Sequence, residues 1–203
     1  MKNIITIQHT QSIHHTNGMV GSWTDWDLTE LGVKQAHAIG ERLSAELQPG
    51  NLVMYASDLL RARYTAEIVG AYLGVEPILT NALREHNLGK AVGKSVQWLR
   101  ENVECRGTSI DDRLFSDAES KRELWNRLLP FYEKILSDPQ DTILVVSHGA
   151  TLGIFHAMWL CLEPEALNKC TLFGPAGGVS FLQQDWDGKH LVKRLSDLSY
   201  VKG

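Results

Sequence analysis

Short, unbroken apolar runs alternate along this chain with longer stretches in which apolar residues recur every three or four positions. The first pattern reads as buried strands and the second as amphipathic helices. Ile4-Ile5-Thr6-Ile7 opens the series and breaks at Gln8-His9 into a polar loop, His14-His15-Thr16-Asn17-Gly18. Val33, Ala36, Gly40, Leu43 and Leu47 then keep helical spacing behind a capping Thr29, with a stop predicted at Pro49-Gly50. Residues 51–56 form a second apolar run that ends in Ser57-Asp58. The helix after it carries Arg61, Thr65, Ile68, Val69 and Tyr72 and stops at Gly74. A short third strand over 75–79 leads to Leu83-Arg84-Glu85-His86.

Periodicity weakens over 87–118, where Gly89, Gly93 and Gly107 interrupt it and only 96–103 reads as a short helix; this stretch is expected to be an excursion capping the substrate side of the sheet. A stronger helix over 119–137 follows, then the most hydrophobic strand, Thr142-Ile143-Leu144-Val145-Val146, which breaks at Ser147-His148-Gly149. A helix apolar on most faces spans 150–162, and 179–195 reads as a hairpin turning at Asp187-Gly188 with type I′ geometry. Strands alternating with helices predict an α/β fold with a mostly parallel sheet covered on both faces.

Composition narrows the class. A length of 203 residues suits one domain over 1–203. No window approaches the roughly 18 consecutive apolar residues of a membrane span, so no membrane partner is expected. A formal net charge of −4 with dispersed Lys and Arg offers nucleic acid no basic face. Met1-Lys2-Asn3 enters a strand without the features of an export signal, and the three cysteines lack a paired spacing. Both point to the cytoplasm and to reduced thiols.

Two strands end in histidine, His9 and His148, each followed by a small residue and a turn. Ligands of open α/β sheets bind beyond the carboxyl ends of the strands, so the two rings are placed to meet one. Arg61 opens the helix after a third strand and Glu85 follows a fourth. Two imidazoles, a guanidinium and a carboxyl group suit phosphoryl transfer through a phosphohistidine. A neutral imidazole attacks phosphorus, cationic donors hold the oxygens, and a carboxylic acid protonates the leaving group. Backbone N–H groups at the starts of the helices after Ser57 and His148, Gly149 among them, are expected to add donors.

His9-Thr10-Gln11-Ser12 with Leu28-Thr29-Glu30-Leu31-Gly32 behind it resembles the opening of the histidine phosphatase superfamily, branch 1, which includes the cofactor-dependent phosphoglycerate mutases. Ser57-Asp58-Leu59-Leu60-Arg61-Ala62-Arg63, Leu83-Arg84-Glu85 and Val145-Val146-Ser147-His148-Gly149 resemble its later motifs in order. The resemblance implies a three-layer α/β/α sandwich, with His9 as the phosphorylated nucleophile, Glu85 as proton donor, and Arg61 and His148 as phosphate ligands. It implies no cofactor and no metal, a small phosphorylated metabolite as substrate, and inorganic phosphate as product.

The motif departs from the family where Arg-His-Gly becomes Gln8-His9-Thr10. Loss of the arginine removes a charge-assisted contact worth about 1.5–3 kcal/mol. It is also expected to let the His9 pKa drift upward. Gln8 and the Thr10 hydroxyl become candidate phosphate donors, and His15 stands where the family usually carries an asparagine. His14 and His15 beside His9 raise a metal site, but neighbouring residues seldom ligate together without a further partner, so none is expected. Trp23 and Trp26 either rim the site or pack the loop. His37, Arg63 and Arg84 read as surface groups, and His86 as a neighbour of the site. Three functions compete: a phosphatase for a small monoester, a phosphoglycerate mutase, and a weakly active or inactive phosphate-binding module.

Overall fold

A computed structural model describes residues 2–47 and 51–202, so the predicted stop at Pro49-Gly50 lies outside the described residues. In chain order the elements are β1 (Lys2–Gln8), α1 (Glu30–Glu46), β2 (Leu52–Ser57), α2 (Leu60–Leu73), β3 (Ile78–Thr80) and α3 (Val96–Asn102). They continue with α4 (Lys121–Leu136), β4 (Thr142–Ser147), α5 (Gly149–Trp159), β5 (Val179–Gln184) and β6 (His190–Asp197). The strands form one six-stranded sheet in the order β3-β2-β4-β1-β5-β6. β3, β2, β4 and β1 run parallel; β5 and β6 are antiparallel additions at one side.

Successive strand residues point to opposite faces, which builds the three layers. Ile5, Ile7, Met54, Ala56, Leu144 and Val146 bury against the layer of α1 and α2. Ile4, Tyr55, Ile143 and Val145 meet α4 and α5 on the other face. The parallel arrangement delivers the carboxyl ends of β1, β2 and β4 to one edge: His9 N–H donates to the Ser147 carbonyl at 2.9 Å, beside Gln8 in register with Ser147. Thr29 caps α1 by accepting the Gly32 N–H at 3.0 Å, as its position predicted. A Cβ on Gly32 would lie 1.9 Å from the Gln11 carbonyl oxygen, so glycine allows α1 to press against the loop behind His9.

Two local expectations change. β3 starts at Ile78 because Gly74 caps α2 in the left-handed region and Val75 N–H still bonds back to Gly70. The β5–β6 turn is not type I′, which needs two residues with positive φ. Gly188 has φ 82° and Asp187 is absent from that region; Gly188 N–H returns to the Asp185 carbonyl, giving a longer loop. Residues 87–118 gather around their own small cluster of Ala91, Phe115 and Ala118. Among the described residues no helix is long and apolar enough to cross a membrane.

Candidate active site

A cavity of about 350 Å³ opens at the carboxyl edge of the sheet. His9 is only 3% exposed. Its Nδ1 lies 2.8 Å from the Thr10 carbonyl, an acceptor, so Nδ1 carries the hydrogen and Nε2 keeps the lone pair. Arg61 Nε donates to that Nε2 at 3.2 Å, while its Nη1 and Nη2 donate to the carbonyls of Thr24 and Ser22. Those two bonds fix the guanidinium plane. Burial lowers the Arg61 pKa to about 10, opposed by the charges of Glu85 and Asp25, and leaves it cationic at neutral pH.

Burial, then the Arg61 charge, holds His9 well below the ordinary histidine range. The expected upward drift is therefore corrected. Removing an arginine at position 8 does not free the imidazole to protonate, because desolvation dominates and Arg61 supplies a second cation.

His148 is fully buried at the N-terminus of α5, edge-on to His9 with ring centroids 5.1 Å apart, and is not part of the cavity wall. Its Nε2 lies 2.8 Å from Ser57 Oγ. Ser57 Oγ also accepts the Leu59 N–H at 3.3 Å; when its own hydrogen is given to Nε2, the ring hydrogen sits on Nδ1. That Nδ1 is buried and has no partner among the described residues. An orphaned buried donor is costly, and a ligand oxygen would satisfy it. Burial and the Arg61 charge keep this ring neutral as well.

Glu85 lies in the cavity wall against the start of α5. Its carboxylate accepts the backbone N–H groups of His86 at 2.8 Å and of Ala150 and Thr151 at 3.3 Å each. This changes another expectation. Two of the α5 N-terminal donors serve Glu85, and the Leu60 N–H at the start of α2 serves Asp25 Oδ1 at 2.6 Å.

Gln8, His15 and Gly149 reach the cavity wall together with His9, Arg61 and Glu85. The Gln8 amide sits 3.4 Å from where a Cβ on Gly149 would lie. Thr10 is not brought there: its N–H and hydroxyl meet Thr65 Oγ1 at 3.2 and 3.3 Å, which turns them toward α2. His15 stacks on His9 with centroids 5.5 Å apart and planes 10° from parallel. Its Nδ1 accepts the Ser12 N–H at 3.1 Å, so a neutral His15 exposes an Nε2–H donor. Burial and the Arg61 charge lower its pKa. His14 shares the cavity, and burial pushes its pKa down to about 3.

Ring nitrogens of His9, His14 and His15 lie within 4.8 Å of one another. A metal there would compete with a bound cation, since Arg61 already donates to His9 Nε2, and would cost His15 its bond from Ser12 if Nδ1 were the ligand. The donor set therefore fits an anion better than a cation.

Several supporting groups escaped the sequence. Trp23 Nε1 donates to the Glu85 carbonyl at 2.7 Å, which settles its packing role; Trp26 instead bonds the Val20 carbonyl. Arg84 is not a loose surface charge: it pairs bidentately with Asp58 at 2.8 and 2.7 Å, its guanidinium over the Trp23 ring. Arg127 donates to the carbonyls of Ala82, Arg84 and Glu85 and pairs with Glu119. Arg63 pairs with Glu67 on the surface, and His37 meets Tyr72 on the exposed side of α1. The cavity wall away from the histidines comes from 167–173 together with Leu124 of α4 and Ile154 of α5, and none of 87–118 lines it. A doublet such as Trp23-Asp25 was visible in sequence, but nothing there distinguishes a brace from a surface group.

A mostly parallel sheet covered on both faces carries, at its carboxyl edge, a buried neutral histidine beside a fixed guanidinium, an arrangement whose chemistry suits a phosphate-like anion. The chain belongs to the histidine phosphatase superfamily (branch 1), whose pattern it matches over residues 4–197. Its relatives include a protein of Erwinia tasmaniensis named "Probable phosphoglycerate mutase GpmB", 28% identical over all of this chain and 96% of that protein. A Yersinia enterocolitica protein of the same name is 26% identical over 92% of this chain and 88% of that one. Among solved structures, Bacillus stearothermophilus YhfR superposes with a TM-score of 0.85 at 23% identity, covering 100% of both chains. The alpha-ribazole phosphatase of Shigella flexneri gives 0.81 at 18% identity over 96% of each chain.

Proposed function

We propose that the protein hydrolyses a small phosphate monoester through a phosphohistidine at His9. The observation that carries this reading is the His9 ring itself, neutral, locked in the Nδ1–H tautomer and touching Arg61 through Nε2. A phosphoryl oxygen takes over the Arg61 Nε–H and so frees the Nε2 lone pair. Nε2 attacks phosphorus as the bond to the ester oxygen breaks, and protonated Glu85 gives its hydrogen to the departing alkoxide. Water then attacks the phosphohistidine, Glu85 takes its proton, the P–N bond breaks, and inorganic phosphate leaves. The orphaned His148 Nδ1–H, the Gln8 amide, His15 Nε2–H and the Gly149 backbone serve as neutral phosphate donors. Every group is the chain's own, so the mechanism calls for no metal and no cofactor. A soluble cytoplasmic metabolite is the substrate this reading implies.

A mutase must grip a carboxylate and a second phosphate as well as the transferred group. Among the described residues lining the cavity, Arg61 and Lys121 are the cations. That supply favours hydrolysis of an ester whose one anionic group is the transferred phosphate over interconversion of phosphoglycerates, the activity in the relatives' name. Turnover of a generic aryl phosphate in EDTA, set against His9→Ala, tests the proposal. An acid-labile, alkali-stable phosphoenzyme on His9 is expected during turnover. Vanadate binding with no turnover across a broad panel would instead make this a phosphate-binding module.

A further inference from the structure

The cavity has two unlike ends. His9, His14, His15, Arg61 and Glu85 crowd one of them. The other is walled by Leu124, Ile154, Leu167, Leu172 and Phe173. Leu124, Ile154 and Leu167 belong to the main core and turn part of their surface to this space. Leu172 and Phe173 arrive on an irregular segment seated tightly on α5: a Cβ on Gly153 would lie 2.5 Å from the Leu172 carbonyl oxygen. Phe173 is 76% exposed and stacks on no other ring among the described residues. Lys121 is the cation near this end, exposed and without an ion-pair partner among the described residues.

From this we infer that the substrate is a monoester of an apolar, ring-sized or short-chain alcohol, seated against Leu172 and Phe173 with its phosphate at His9. The inference rests on the phosphatase reading and names the substrate class of the same site. A polyol or sugar would bring several hydroxyl groups to a wall whose side-chain partners are Lys121, Thr171 and the weak donor Cys170, too few to pair them all, and each unpaired hydroxyl costs free energy. An apolar group gains by leaving water there. At about 350 Å³ the cavity lies near the lower limit of ligand pockets, so the alcohol is small.

Benzyl phosphate and glycerol 3-phosphate make the test, because both leave as alkoxides that need Glu85 and differ chiefly in the polarity of the alcohol. A kcat/KM about a hundredfold higher for benzyl phosphate is expected, the difference lying mostly in KM. Phe173→Ser should cut that ratio about tenfold. Equal kcat/KM for the two esters overturns the substrate class and leaves the phosphatase standing. A ratio unmoved in Phe173→Ser overturns the seat assigned to the alcohol. Failure of both esters to exceed the His9→Ala background overturns this inference together with the phosphatase reading.

Discussion

Arg127→Lys probes how the proton donor is held. Arg127 Nη1 donates to the carbonyls of Asn81 and Ala82 at 3.2 and 2.8 Å, and Nη2 to those of Arg84 and Glu85 at 3.1 and 3.2 Å. Two further bonds, at 2.8 and 3.0 Å, reach the Glu119 carboxylate. One planar fork thus ties α4 to the turn that carries Glu85. Lysine can keep the pairing with Glu119 but cannot reach four carbonyls in two directions. Hydrogen bonds to a charged group contribute about 1.5–3 kcal/mol each when buried. With the side chain 20% exposed, and part of the set retained, a loss of about 2–4 kcal/mol in stability is expected. The larger signature is kinetic. Displacing Glu85 by about 1 Å should lower kcat on an alkyl phosphate about 10²-fold. On p-nitrophenyl phosphate, whose leaving group departs without a proton, the loss should stay within about threefold. Steady-state kinetics on the two esters, at a temperature where circular dichroism shows the variant folded, provide the comparison. Equal losses on both would refute the reasoning, since Arg127 would then act on the whole site and not through Glu85.

Gln8→Arg should raise kcat/KM about fivefold, the gain from replacing a neutral donor by a charged one at about 1 kcal/mol, and leave the acid limb of the pH profile in place. A limb displaced by more than half a pH unit would show that burial and Arg61 do not by themselves set the His9 pKa and that a charge at position 8 still moves it. His156 bonds Thr6 inside the core and burial lowers its pKa to about 4, below the 6.5 of an exposed ring. The unfolded chain therefore binds the proton first, and the contribution of His156, about 3 kcal/mol, is whole above pH 6.5 and lost as pH falls toward 4. Urea unfolding at several pH values should show His156→Gln with a correspondingly flatter dependence, and an identical slope would contradict it. Gly32→Ala forces a Cβ onto the Gln11 carbonyl oxygen and should cost about 2–4 kcal/mol, read as a lowered Tm, with activity falling as the loop behind His9 moves.

Much of the architecture was legible in the pattern of apolar residues. The runs before Gln8 and Ser147 are apolar but for Thr6 and Thr142 because strands in this sheet bury both faces, and that property placed His9 and His148 at strand ends. Thr29, Ser57, Arg61 and Glu85 stand next to element boundaries that sequence marks directly. β3 was misplaced at its start because a helix cap and an edge strand compete for Val75, and the choice rests on a bond back to Gly70.

What only the tertiary structure decided is how donors are shared out. Position beside His9 made Thr10 a candidate, yet Thr65 claims its N–H and hydroxyl from another helix. Helix starts promised free N–H groups for phosphate, yet Glu85 and Asp25 reach across from loops to take those of Ala150, Thr151 and Leu60. The pKa of His9 turned on its burial and on Arg61, 52 positions away, and not on the neighbour at position 8. The local sequence determines which groups a strand or helix can present. Which of them remain unsatisfied, and so available to a ligand, depends on contacts between distant segments that form only when the layers close.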